Sequence, residues 1–194
     1  MNFWQLLINC IFRIIRKEIP FTIDTKELLI RGIVHPMFYS NSDMTIKREA
    51  FLPPPNQKDV SLLRHSYTND NFCKKRISKL KLGNNVYCGM ATFHMFHINE
   101  IKNIIPINER IDVEVNGTPL DANDKYIDSP PVYTNMPGTP MHADLVYEFP
   151  IVKGQPQTKH RKYASLLAKI SNYFNDPTPE SSVWLGEKLK WVKK

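Results

Sequence analysis

Residues 136–150 read MPGTPMHADLVYEFP, a loop rich in Pro and Gly that runs into a short apolar segment. The reading of that segment decides the fold. As a strand it carries His142 and Asp144 on one face, because side chains two apart in extended chain point the same way. Working outward, other stretches have the same texture. KELLIRGIVHP (26–36) reads as a strand from Leu28 to Val34, ended by His35-Pro36. DVSLLRHSY (59–67) places Val60, Leu62 and Arg64 on one face, and Ser61, Leu63 and His65 on the other. VYCGMATFHMF (86–96) is a third strand, with Gly89 marking a bulge or a close backbone approach. In RIDVEVNGTPL (110–120), Ile111, Val113 and Val115 alternate with Asp112 and Glu114, and Asn116-Gly117 then offers a two-residue type I′ turn. Residues 38–57 read as a long connection with an extended piece near Ile46–Phe51, stiffened by Pro53–Pro55.

Helical spacing occurs in fewer places. Tyr163, Leu166, Leu167, Ile170, Tyr173 and Phe174 recur on one stripe, with Thr158 as a cap and NDPTPE (175–180) as the stop. A short helix is expected from about Asn99, one or two turns within residues 69–85, and a short second helix through Trp184 and Trp191. At the start, Trp4, Leu7, Ile8, Ile11 and Ile15 make an amphipathic stripe that packs on the protein's own body or docks on a partner protein or a membrane surface.

Strands interrupted by a few helices, without regular alternation, define an α+β pattern. The expected architecture is a mixed or mostly antiparallel curled sheet, with the C-terminal helix on one face and an N-terminal amphipathic helix. The expected division is residues 1–19 for that helix, 20–175 for a single domain and 176–194 for a tail or short helix.

Composition narrows the partners. The chain of 194 residues carries a net charge of +7. That charge is unevenly distributed: +2 over residues 1–60, +4 over 61–100, −5 over 101–150 and +6 over 151–194. Cys10, Cys73 and Cys88 are an odd number at no metal-like spacing, which fits a reducing cytoplasm. No run reaches the roughly 18–20 apolar residues of a membrane span.

Phosphate-cradling Gly-rich loops, nucleophile turns and paired-cysteine zinc motifs are absent from the sequence, and no cofactor is implied. His94 and His97, in HMFH, lack the further ligands of a metal site. Three groups remain as candidates. His142 and Asp144 could act as a general base and its orienting carboxylate; alternatively, His142 caps backbone groups of its own loop while Asp144 faces water. Arg31 and Arg64 lie inside apolar strands with His35 and His65 close by, and could clamp a phosphate or carboxylate or pair with acidic residues from 112 to 144. Lys74, Lys75, Arg76, Lys79 and Lys81 form a basic run that could track a nucleic-acid backbone or simply face water.

Taken in order, RGIVHP, DVSLLRHSYT…CKK…YCGMA and HADLVY resemble small uncharacterised bacterial proteins sometimes encoded beside defence or mobile-element genes. The likeness covers about residues 28–170 and implies a bacterial origin and an accessory role, without an assigned activity. The expected function is therefore a basic binding module for nucleic acid, a nucleotide or a protein partner. The alternative is a small enzyme acting on RNA or a nucleotide, with His142 as base and Arg31 or Arg64 as charge stabiliser.

Overall fold

The computed structural model describes residues 17–79, 83–155 and 157–193. The amphipathic stripe before Lys17 lies outside the described residues, as does Lys81. The strands are β1 (Leu28–His35), β2 (Tyr39–Ser40), β3 (Thr45–Ile46), β4 (Asp59–Arg64), β5 (Val86–His94), β6 (Val113–Gly117), β7 (His142–Tyr147) and β8 (Asn172–Asn175). The helices are α1 (Asp70–Ile77), α2 (Phe96–Ile104) and α3 (Thr158–Ile170). Six strands form one sheet in the order β6-β7-β4-β1-β5-β8, and every neighbouring pair is antiparallel. The protein is α+β, as its pattern of elements implies.

Both faces of the sheet are covered, because both carry apolar side chains. On one face Leu29, Leu62, Phe93, Val115, Ala143 and Leu145 pack with Ile98 and Ile101 of α2, Tyr163 and Leu167 of α3, and Phe51 from a short 3₁₀ turn at Arg48–Phe51. Each Leu, Ile, Val or Phe among them, fully buried, contributes roughly 1.5–3 kcal/mol. Two hydroxyls stitch this layer together: Tyr147 donates to the Phe51 carbonyl at 2.7 Å and Tyr163 to that of Ile98 at 3.1 Å. On the other face Ile30, Leu63 and Met90 meet Cys73 and Ile77 of α1, and Trp184 and Leu189 of the C-terminal segment.

Four local expectations are corrected. Asn116-Gly117 is not a turn. β6 continues through it, with Asn116 opposite Asp144 and Gly117 opposite Ala143. Glycine is needed there because a Cβ would lie 2.5 Å from the Phe21 carbonyl oxygen, whose approach the Gly117 N–H meets at 3.1 Å. The α3 stripe does not run on to Tyr173 and Phe174. The helix ends at Ile170, and these two residues pair with Ala91 and Met90 of β5. No helix follows through Trp184 and Trp191, because the body supplies the backbone partners a helix would have supplied. Asn71 accepts from Trp184 N at 2.7 Å, Asp70 from Leu189 N at 3.2 Å, and Thr92 donates to the Lys190 carbonyl at 2.6 Å. Finally, the extended piece near Ile46–Phe51 shrinks to Thr45–Ile46, followed by the 3₁₀ turn. At Gly89 the register does slip, between the partners Ile33/Gly89 and Val34/Tyr87. Among the described residues no helix is long and apolar enough to cross a membrane.

Candidate anion-binding site

The site starts where β1 and β4 part. Their pairing covers only Leu29 with Arg64 and Ile30 with Leu63. Beyond it the Arg31 guanidinium stands between the strands, donating from Nη1 to the Ser61 carbonyl at 2.9 Å and from Nε to that of Ala50 at 2.8 Å. The first bond takes the place of a β1 partner for the Ser61 carbonyl of β4, and the second ties the strand to the 3₁₀ turn that holds Ala50. Burial pulls the Arg31 pKa down to about 10, with the Asp144 carboxylate pulling the other way. It therefore remains a cation at neutral pH.

α1 closes the opening from above. Asn69 caps it, its side chain accepting from Phe72 N at 3.0 Å. The helix lies directly on β1 at Gly32, where a Cβ would fall 2.2 Å from Cγ2 of Ile77. That contact brings Arg76 over the sheet. The result is a pocket of about 110 Å³ with Ile30, Ile77 and Leu120 as apolar walls and Arg31, Arg76 and His142 as polar ones.

β7 runs as an extended strand between β4 and β6, and it holds His142 and Asp144 opposite Leu63 and Ser61. Both are buried, at 7% and 2% exposure. His142 Nδ1 lies 2.9 Å from the Thr118 carbonyl oxygen and 2.9 Å from its Oγ1. The Thr118 hydroxyl donates its proton to Asp144 Oδ2 at 2.8 Å, so both Thr118 oxygens act as acceptors towards the ring. Nδ1 therefore carries the imidazole hydrogen, and Nε2 is left with a bare lone pair. Burial holds the His142 pKa below its ordinary value, against the opposing pull of Asp144, which keeps the ring neutral at pH 7. Tyr126 also donates to Asp144 Oδ2, at 3.3 Å. Asp144 Oδ1, however, is buried and has no hydrogen-bond partner among the described residues. It stands 3.7 Å from His142 Nε2. Two acceptors thus face each other, and what the pair lacks is a donor.

The remaining candidates do not join this site. Arg64, 1% exposed, forms a bidentate pair with Glu27 at 2.6 and 2.9 Å. It also donates to the carbonyls of Pro20 and Thr22 and lies over the Tyr67 ring. Its partner is thus Glu27 rather than an acidic residue from 112 to 144. His65 is bound through Nε2 to Asp70 at 2.6 Å, and His35 ends β1 opposite Val86. Lys74 leaves the basic run altogether. It is fully buried, 2.8 Å from Asp176, and donates to the carbonyls of Thr178 and Val183. Lys75 and Lys79 are exposed, and Arg76 is paired with Asp124. His94 and His97 sit among Phe96 and Trp191, and no group of metal-ligating side chains assembles among the described residues. A larger groove of about 470 Å³ beside β6 is lined by charges of both signs, with Lys102 already paired to Asp112.

Thr118 and Tyr126, the partners of Asp144, carry no motif. Only the β6–β7 register brings Thr118 to His142, and that register was hidden by the turn signal at Asn116-Gly117. Comparison with protein-family models, with curated proteins and with solved structures finds no match to this chain.

Proposed function

We propose that this protein is a binding module for a small phosphate-bearing ligand, held in the pocket between α1 and the parting strands β1 and β4. One observation carries the reading: Arg31, Arg76 and His142, from three separate elements, line one small pocket. A guanidinium matches phosphate oxygens with several donors in one plane. The volume of about 110 Å³ suits one such group rather than a polymer backbone. The removal of Lys74 from the basic run also favours a small ligand over a nucleic-acid groove, because each phosphate contact needs an accessible cation. The test is an amide NMR titration of the full chain with inorganic phosphate against chloride at equal ionic strength. Shifts should cluster at Arg31, Arg76 and His142, and Arg76→Gln should weaken them. Shifts scattered over Lys75, Lys79 and the tail alone would reject the pocket.

A second reading, a small enzyme acting on a phosphate-bearing substrate, is favoured by the bare Nε2 of His142. Held by Thr118, that nitrogen could accept a proton from a substrate hydroxyl or water. Phosphorus NMR of nucleotides incubated with the protein should then show a new signal that His142→Gln abolishes. Identical slow spectra for both proteins would leave the binding module alone.

A further inference from the structure

A second pocket, of about 290 Å³, shares Arg76 with the first. Its other polar or aromatic walls are Phe72, Lys75, Lys79, Asp124 and Thr139. Thr139 is the informative one. It is 1% exposed, and its Oγ1 has no hydrogen-bond partner among the described residues. Its backbone is engaged on both sides, giving its N–H to the Leu120 carbonyl at 2.9 Å and accepting from Leu120 N at 3.1 Å. The wall is therefore fixed, and its unpartnered hydroxyl lies buried beside the pocket. Phe72 presents a half-buried ring, packed behind on the cluster of Ile19, Val132 and Met141. Asp124 is paired with Arg76, so a carboxylate stands beside the guanidinium that the two pockets share.

We infer that the two pockets together take a nucleoside monophosphate: phosphate against Arg31 and Arg76, ribose hydroxyls at Asp124, and the base on Phe72 beside Thr139. This rests on the phosphate reading above and names its ligand. The chemistry divides the walls in that way. Arginine suits the phosphate, a carboxylate accepts from paired sugar hydroxyls as in dinucleotide sites, and an aromatic ring stacks on a base of any identity. The combined space falls in the range of small-molecule sites, roughly 300–1,000 Å³.

The experiment measures affinity of the full chain for inorganic phosphate, ribose 5-phosphate, phenyl phosphate, the nucleoside monophosphates and unphosphorylated nucleosides. Nucleoside monophosphates should bind roughly tenfold or more tightly than phosphate, the increment expected of one stacked base. Phe72→Leu keeps an apolar side chain against its cluster and should reduce nucleotide affinity to that of ribose 5-phosphate, with phosphate binding unchanged. Asp124→Asn should narrow the gap between ribose 5-phosphate and phenyl phosphate. If nucleotides bind no more tightly than phosphate, if phenyl phosphate matches them, or if Phe72→Leu changes nothing, the inference is wrong and the phosphate pocket stands. If neither phosphate nor nucleotide binds, both fall together.

Discussion

Two arginines from adjacent strands meet opposite fates, and the difference separates a structural cation from one that lines a pocket. Arg64 has a carboxylate of its own. Glu27 neutralises it, the carbonyls of Pro20 and Thr22 take further donors, and the Tyr67 ring covers it at 4.7 Å. Arg31 has no carboxylate paired to it among the described residues: it donates to the carbonyls of Ala50 and Ser61 and lies over the Phe38 ring at 5.2 Å, and the anion acting on it is Asp144. One guanidinium is closed into the fold and staples the segment from Pro20 to Glu27. The other keeps uncompensated charge beside an opening. A buried cation with its own carboxylate is part of the architecture, whereas one held by neutral oxygens still attracts an anion.

The largest test breaks the closed side. Glu27→Ala leaves Arg64 buried without its anion, and urea unfolding should show a loss of about 3–5 kcal/mol. The double change Glu27→Leu with Arg64→Met should recover part of that loss. The remainder reports the carbonyls of Pro20 and Thr22, now without a donor. A single change that costs less than about 1 kcal/mol would mean that Arg64 is solvated after all. Lys74→Met should follow at similar or slightly smaller cost, because Asp176 is then left buried without its cation.

On the open side, Arg31→Met removes the donors to Ser61 and Ala50, a loss of about 1–3 kcal/mol in stability. It should also abolish the phosphate-induced NMR shifts of His142. Gly32→Ala gives a cleaner separation of the two effects. Its new methyl would collide with Ile77 and lift α1, opening the roof of the pocket while Arg31 keeps both of its carbonyls. Phosphate binding should fall roughly tenfold, the equivalent of one lost charged hydrogen bond. Unaltered binding in Gly32→Ala would show that α1 and Arg76 are not part of the site.

The same contrast explains what the sequence made legible. Strand texture was plain at β1, β4, β5 and β7, where apolar runs are bounded by Pro, Gly and Asn, so the α+β class and the shared face of His142 and Asp144 could be read directly. The two arginines were recognisable as unusual inside apolar strands. Their fates were not, because Glu27 lies 37 residues from Arg64 in sequence and only the folded chain sets the two side by side. Charge runs misled for a related reason. Lys74 looks identical to Lys75 in sequence, yet helical geometry turns the first under the C-terminal segment and the second outward. Asn116-Gly117 is a strong local turn signal that tertiary pairing overrode, and with it went the view of Thr118 beside His142.

The smallest effect concerns that histidine. Burial lowers its pKa, so the unfolded chain binds a proton more readily than the folded one. Stability therefore rises with pH in the window between the depressed folded value and the free value of about 6.5. It is fully present above that window and is lost as the pH falls through it. His97 is lowered by burial as well and titrates in the same direction, so the wild-type slope contains both rings. Comparing urea midpoints of wild type and His142→Gln between neutral and mildly acid pH isolates one of them. The variant should lose less stability on acidification, keeping only the part due to His97 and the carboxylates. Phosphate should flatten the wild-type slope and narrow the contrast, because a proton on His142 adds a cation to the pocket and tightens the anion where the fold would otherwise weaken. Equal slopes for the two proteins, with and without phosphate, would place His142 outside the electrostatics of the site.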